Sequence, residues 1–321
     1  MMNNAARSVS VYSGPEITHF PAYVLISPAK NEAAFIELTL QSMVAQTIQP
    51  VKWVIVSDGS TDGTDEIVRK YTTQYSWIEL LQMPERAERN FAGKVYAFNA
   101  GYDTLRNLKY EIIGNLDADI SFGSDHFEFL LGKFVDNPQL GVAGTAFIED
   151  KTLAYNYKIV NIEHVSGQCQ LFRRECFEAI GGYVPIKGGG VDWTAVTTAR
   201  MRGWKTRTFT EKSFVHHRTM GTAMSTVLAA RFRSGKQDYY LGGHPIWEIL
   251  RSIYQTNKKP YLFGGVFLLA GYCWATLTAV EKAVSKDLEA FLRKEQMQRL
   301  RMLVKKRFVP RRYQKNGSDP A

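Results

Sequence analysis

Short apolar runs alternate with segments of helical spacing through the first half of the chain, and few architectures accept that pattern. Tyr23 to Ser27 is an apolar run stopped by Pro28, after which Ile36, Leu40, Met43 and Val44 recur at helical spacing. Gln49 and Pro50 end that helix. Val51 to Val56 reads as a second strand that runs into the small and acidic residues Ser57 to Thr64. Asp62 or Thr64 caps the next helix, through Ile67, Val68 and Tyr71. Trp77 to Leu81 reads as a strand, Lys94 to Leu105 as a helix and Glu111 to Leu116 as another strand. Strands alternating with helices of about ten residues predict an α/β fold: a mainly parallel, Rossmann-like sheet with helices on both faces.

Beyond Asp136 to Pro138 a further strand, Leu140 to Phe147, is expected, and then the pattern becomes less regular. Gly181, Gly182 and the run Gly188 to Gly190 bracket a flexible loop, directly followed by a helix from Asp192 to Arg202 that Gly203 closes. Lys205 to Phe209 is one more strand, and Ser213 to Arg218 follows it.

The strand ending at Leu116 delivers two carboxylates, Asp117 and Asp119, to its tip. In an open α/β sheet, ligands bind beyond the carboxyl ends of the strands, so both acids are expected to face the crevice. Carboxylate oxygens suit Mg²⁺ or Mn²⁺, which usually bridge a few protein carboxylates to substrate phosphates. Two acids separated by one residue also arise by chance in loops, and that reading stays open.

With 321 residues, 45% of them hydrophobic and 12% aromatic, the chain has the composition of a globular protein. Its three cysteines, Cys169, Cys176 and Cys273, suggest neither a disulfide framework nor a zinc site. A reducing cytoplasm suits them, and Met1 to Phe20 reads as a loose arm without a secretory signal. The net charge of +9 is concentrated in Glu281 to Ala321, which carries +7 of it. A basic tail after an apolar segment points to an anionic membrane surface at least as readily as to nucleic acid, and the partner expected is the membrane surface, not nucleic acid. That apolar segment, Tyr261 to Val280, is free of charge and about as long as a spanning helix, with Lys258, Lys259, Tyr261 and Trp274 resembling interfacial anchors. A buried core helix is the alternative. A single span would put the basic tail outside, so a re-entrant or surface-lying segment eased by Gly264, Gly265 and Gly271 is expected, with Leu288, Phe291, Leu292 and Leu303 of the tail on lipid.

Several pieces, taken together and in order, resemble the family 2 glycosyltransferases, which have a GT-A fold. These are Ser27 to Glu32, Ser57 to Thr64, Asn90 to Ala97 with Asn99 and Gly101, the Asp117/Asp119 pair, and Asp192 eleven residues before Gly203. The resemblance covers Ala22 to Arg218. It implies that Pro28, Asn31 and Glu32 form the turn that holds a nucleotide, that Asp58 reads the base, usually uracil, and that Lys94 approaches the diphosphate. Asp117 would lie near the ribose, Asp119 would bind the metal and Asp192 would deprotonate the acceptor hydroxyl. His217 is nominated as a further metal ligand over its neighbour His216, and Arg218 as a diphosphate contact. Adjacent strand residues face opposite sides, so only one histidine can point at the metal.

The chemistry asks for the same set: a divalent cation stabilises the leaving diphosphate, and a carboxylate accepts the proton of the attacking hydroxyl. With no nucleophilic carboxylate indicated, displacement with inversion is expected. Val191 stands where the family often has a second acid before the base, and the motif of processive polysaccharide synthases is absent, so one sugar per reaction is expected. The whole reading is a nucleotide-sugar enzyme, UDP-linked in its donor, acting on a saccharide or lipid-linked acceptor at the cytoplasmic face of the cell membrane. Its parts are an arm (1–20), a nucleotide-sugar-binding half (21–150), an acceptor-binding half (151–225), a helical connector (226–260), the membrane-associated segment (261–280) and the basic tail (281–321). A nucleotidyltransferase of related fold or an inactive membrane adaptor is the rival reading.

Overall fold

A computed structural model describes residues 19–84, 91–149, 152–153, 162–186, 188–218 and 227–308. The expected arm up to residue 18, Asn90 of the quoted motif and the tail from residue 309 lie outside the described residues.

In chain order the elements are β1 (Tyr23–Ala29), α1 (Ile36–Val44), β2 (Lys52–Asp58), α2 (Thr64–Thr72), β3 (Ile78–Met83), α3 (Phe91–Leu105), β4 (Ile112–Leu116), β5 (Ile120–Phe122) and α4 (His126–Asp136). There follow β6 (Leu140–Glu149), β7 (Thr152–Leu153), β8 (Cys169–Arg173), α5 (Arg174–Ala179), α6 (Val191–Met201) and β9 (Lys205–His216). Four helices complete the described chain: α7 (Val227–Tyr240), α8 (Pro245–Thr256), α9 (Phe263–Leu277) and α10 (Lys286–Phe308).

Among the described residues the strands form a nine-stranded sheet in the order β3-β2-β1-β4-β8-β6-β9-β5, with β7 on β6. Both faces are covered, as the alternation requires. Tyr23, Leu25, Trp53 and Ile55 point into a core with α1 and α4, while Val24, Ile26, Val54 and Val56 point into a second core with α3, α5 and α6. At Gly101 of α3 a Cβ would stand 2.8 Å from Ile26 and 2.9 Å from Val56, so this glycine lets the helix lie against the sheet.

Three expectations are corrected here. The sheet is mixed rather than mainly parallel: β3, β2, β1 and β4 run parallel, but β8 enters antiparallel between β4 and β6, and β5 pairs antiparallel with β9. The buried strand β8 lies in the stretch where the sequence pattern is irregular. Its second residue, Gln170, hides a polar group in the core by accepting from Tyr183 Oη at 2.5 Å and donating to Val165 O at 2.8 Å. Pro28 does not stop β1. The strand runs on to Ala29, and because its pairing with β4 ends at Ile26, the amide proton that Pro28 lacks costs no bond on that side.

The third correction concerns the tail that follows the apolar segment. No helix among the described residues is long and apolar enough to cross a membrane. Helix α9 runs unbroken through Gly264, Gly265 and Gly271. Leu288 and Leu292 of α10 are buried in protein instead of free for lipid. Arg200 holds that helix to α6 through two hydrogen bonds to Glu295, at 2.9 and 3.0 Å.

Candidate active site

The loops leaving the carboxyl ends of β1, β2 and β4 carry most of the expected site, at one edge of the sheet. Asn31, in the left-handed region at φ 57°, donates its backbone N–H to Ser60 Oγ at 3.1 Å and accepts from Thr61 N at 2.9 Å. Glu32 N donates to Thr64 Oγ1 at 2.8 Å and Ala33 N to Asp62 Oδ2 at 3.0 Å. Asp62 and Thr64, expected as helix caps, therefore bind the loop after β1 to the loop after β2. The N-cap of α2 is Gly63, although Asp62 does accept the Thr64 N–H at 3.1 Å. Asp58 ends β2, largely buried, with Gly93 of α3 close enough that a Cβ there would meet its carboxylate at 3.5 Å.

Asp117 leaves β4 with its backbone fixed by Gln168 O at 2.8 Å. Its Oδ1 accepts from Lys94 Nζ at 2.5 Å and from Asn115 Nδ2 at 3.0 Å. Burial pushes the Asp117 carboxyl up, against the pull of Lys94 and with the neighbouring charge of Asp119 adding to it. Asp119 goes the other way: burial would raise it, but His216 and Arg218 hold it below the usual carboxylate range. The two acids thus sit in different electrostatic settings, one matched to a lysine and one to a histidine and an arginine.

The histidine facing Asp119 is His216, not His217. His216 Nε2 lies 3.4 Å from Asp119 Oδ2, and Nδ1 lies 2.7 Å from Glu149 Oε1. Burial would lower this imidazole, yet Asp119 and Glu149 push it up to about 9. His217 instead meets Ser121 Oγ at 2.9 Å and stacks on Phe35. A bulge in β9 is responsible. Thr145 and Ala146 of β6 oppose Phe209 and Ser213, so one step on β6 matches four on β9 and the alternation changes parity. Phe209 and Phe214 consequently share one core, and His216 follows Phe214 on that side. Arg218 lies beyond, 2.5 Å from Glu32 Oε2 and 3.7 Å from Asp119 Oδ2.

Asp192 occupies the first turn of α6, behind Gly190 at φ 85°. Its Oδ2 accepts the Gly167 N–H at 3.1 Å. A Cβ on Gly167 would stand 2.9 Å from the Asp192 Cβ, so only glycine allows this approach. The Gly188 to Gly190 loop is held from outside by α7, whose Gln237 Nε2 donates to Gly188 O at 3.2 Å, and by Leu241 just beyond that helix, which covers Gly190.

Asp117 and Asp192, remote in sequence, line one cavity of about 240 Å³ with Lys94, Asn115, Gly167 and Tyr183. Asp119, His216, Arg218 and Glu32 form the charged network beside it, while Pro28, Asn31 and Asp58 do not line the cavity. A larger crevice of about 610 Å³ around Tyr102 and Phe177 contains none of the predicted ligands except Asn99 of the quoted motif.

Among the described residues no three His, Cys, Asp or Glu side chains form a self-sufficient metal cage. Mg²⁺ and Mn²⁺ do not need one, because they keep waters and substrate phosphates as ligands. Asp119 supplies an oxygen donor, and His216 beside it would supply a nitrogen only on giving up the proton that Asp119 and Glu149 hold on it, so ion binding at this pair would release a proton.

The description "Glycosyl transferase family 2" matches residues 24–159. Poly-beta-1,6-N-acetyl-D-glucosamine synthase of Staphylococcus aureus (strain COL) is 30% identical over 137 residues, which are 42% of this chain and 31% of that protein. The Staphylococcus epidermidis protein of the same name is 30% identical over 139 residues. The chain thus spans about a third of the length of these curated relatives. Among solved structures, the mannosyltransferase PcManGT from Pyrobaculum calidifontis, in complex with GDP-Man and Mn²⁺, aligns at TM-score 0.54 and 21% identity over 88% of this chain and 81% of that one. S. aureus TarS 1-349 aligns at TM-score 0.51 and 14% identity over 81% of this chain and 72% of that one. Both likenesses speak for the fold.

Proposed function

The chain carries a family 2 glycosyltransferase domain, and from that premise we propose that it moves a single sugar from a UDP-linked nucleotide sugar to a hydroxyl of a lipid-linked saccharide, with inversion. The observation that carries the reading is the meeting of Asp117, Lys94 and Asp192 in one cavity, donor-side and acceptor-side groups drawn from remote parts of the chain.

Each residue then has a task set by its surroundings. Lys94 and Arg218 bring positive charge to the edge where a diphosphate would lie. Asp119 and His216 would hold a divalent ion, which when bound stabilises negative charge developing on the leaving diphosphate. Asp192 is fixed by the Gly167 amide on one oxygen, which leaves the other to accept the proton of the attacking hydroxyl. Asp117 is occupied by Lys94 and Asn115, so Asp192 is the carboxylate of the cavity left for that work. With Asp192 as base and Asp117, the other carboxylate among the residues described around the cavity, held by Lys94 and Asn115, direct displacement inverts the sugar centre.

The test pairs binding with turnover. UDP-sugars are expected to raise the melting temperature in the presence of Mn²⁺. Asp192→Asn is expected to keep that stabilisation while transfer falls by ~10² or more. Near-normal transfer by a folded Asp192→Asn variant would place the base elsewhere.

A further inference from the structure

Helix α8 is packed inside out. Its polar residues Glu248, Ser252 and Gln255 are buried, Glu248 at 2% exposure, while Ile246, Ile249, Leu250, Ile253 and Tyr254 face solvent, Ile253 at 57%. Water would favour the reverse arrangement.

Helix α9 also turns large apolar residues outward. It buries Gly264, Gly265, Leu268, Gly271, Tyr272 and Ala275 and exposes Phe263, Val266, Trp274 and Leu277, the last at 86%. The glycines bring backbones together: a Cβ on Gly265 would stand 2.3 Å from Ser252 O of α8, and one on Gly271 would stand 2.0 Å from Phe232 O of α7. From the other side, a Cβ on Gly235 of α7 would stand 1.8 Å from Leu268 O. Glycines at the closest helix contacts and large apolar residues on the outer face are how helices associate in lipid, where burying apolar surface gives no drive.

We propose that the α8–α9 hairpin docks into one leaflet of an anionic bilayer. Several observations choose lipid over a protein partner. The two apolar helices are joined by Lys258 and Lys259, and Lys236 stands 4.3 Å over the Trp274 ring, so positive charge meets the apolar surface where headgroups would lie. Tyr254, Tyr261 and Trp274 are exposed amphipathic rings of the kind that settle at the headgroup level. The 15 residues of α9 reach about 22 Å, short of the ~30 Å hydrocarbon core, which confines it to one side. Helix α7 packs against α9 and also holds the Gly188 to Gly190 loop, so it links the docked hairpin to one wall of the cavity.

Vesicle flotation of the full chain tests this without donor or acceptor, so its result is separate from the transfer assay. The protein is expected to float with phosphatidylcholine vesicles that contain phosphatidylglycerol, and less with phosphatidylcholine alone. Ile253→Glu combined with Val266→Glu changes exposed positions and is expected to keep the circular dichroism spectrum while lowering flotation about tenfold or more. Lys258→Glu with Lys259→Glu is expected to remove the preference for phosphatidylglycerol. Failure of the parent protein to float, or equal flotation of the Ile253→Glu/Val266→Glu variant, overturns the proposal. So does a dimer in solution that the same variant dissociates, because the surface would then serve a second copy of the chain.

Discussion

At the scale of single residues, the candidate metal position separates two adjacent histidines. His216 shares its ring nitrogens between Asp119 and Glu149, whereas His217 is engaged with Ser121 and Phe35. His216→Ala is therefore expected to weaken Mn²⁺-dependent stabilisation by UDP at least ~10-fold, since even outer contacts to a metal ligand are worth that much. His217→Ala is expected to leave it nearly unchanged. Thermal shift with UDP over a Mn²⁺ titration checks both, and the opposite ranking would return the role to His217. The positions of Asp117, Asp119 and Asp192 were legible in the sequence, at a strand tip and at a helix start, while Lys94 was indicated through the family resemblance, and the fold brings Asp117, Lys94 and Asp192 to one cavity. The histidine was not legible, because a bulge inside β9 reverses which of two neighbours faces Asp119.

Among the elements, close approach decides what a glycine can become. Gly101→Val would drive new methyl groups into Ile26 and Val56, side chains that can yield, and is expected to cost about 1–3 kcal/mol in denaturant titrations. Gly271→Val meets the backbone of Phe232, which cannot yield without moving α7 from α9, so a larger loss is expected. Equal costs would mean that the α7–α9 contact is looser than it stands. The parallel strands β1 to β4 were readable as apolar runs with helices between them. Strand β8 was not, since a buried glutamine interrupts its pattern and only Tyr183 and Val165, from outside the strand, make that tolerable.

For the whole molecule, stability against pH is set by groups that burial moves away from their ordinary values. Burial pushes Glu248 up to about 8, with Arg251 nearby at 3.7 Å but also paired with Asp238. The folded chain then keeps a proton that the unfolded chain releases near 4.5, so this group's contribution falls as pH rises from there to about 8. His126, pushed down to about 4 by burial, acts on the acid side, where its contribution is lost as pH falls below about 6.5. Glu248→Gln removes only the first effect. Its melting temperature is expected to exceed the parent's by an amount that grows between about pH 5 and pH 8, and a constant difference in calorimetry would show that Glu248 is ionised in the fold. The sequence by itself determined the alternating α/β frame, the loops at its carboxyl edge and the acids on them, because strand and helix periods and the residues that end them are local properties. Tertiary structure alone decided the mixed order of the sheet, which of two histidines faces Asp119 and the inverted packing of α8. Register depends on the partner strand, and a periodic pattern tells that a helix has two faces without telling which of them the rest of the chain will cover.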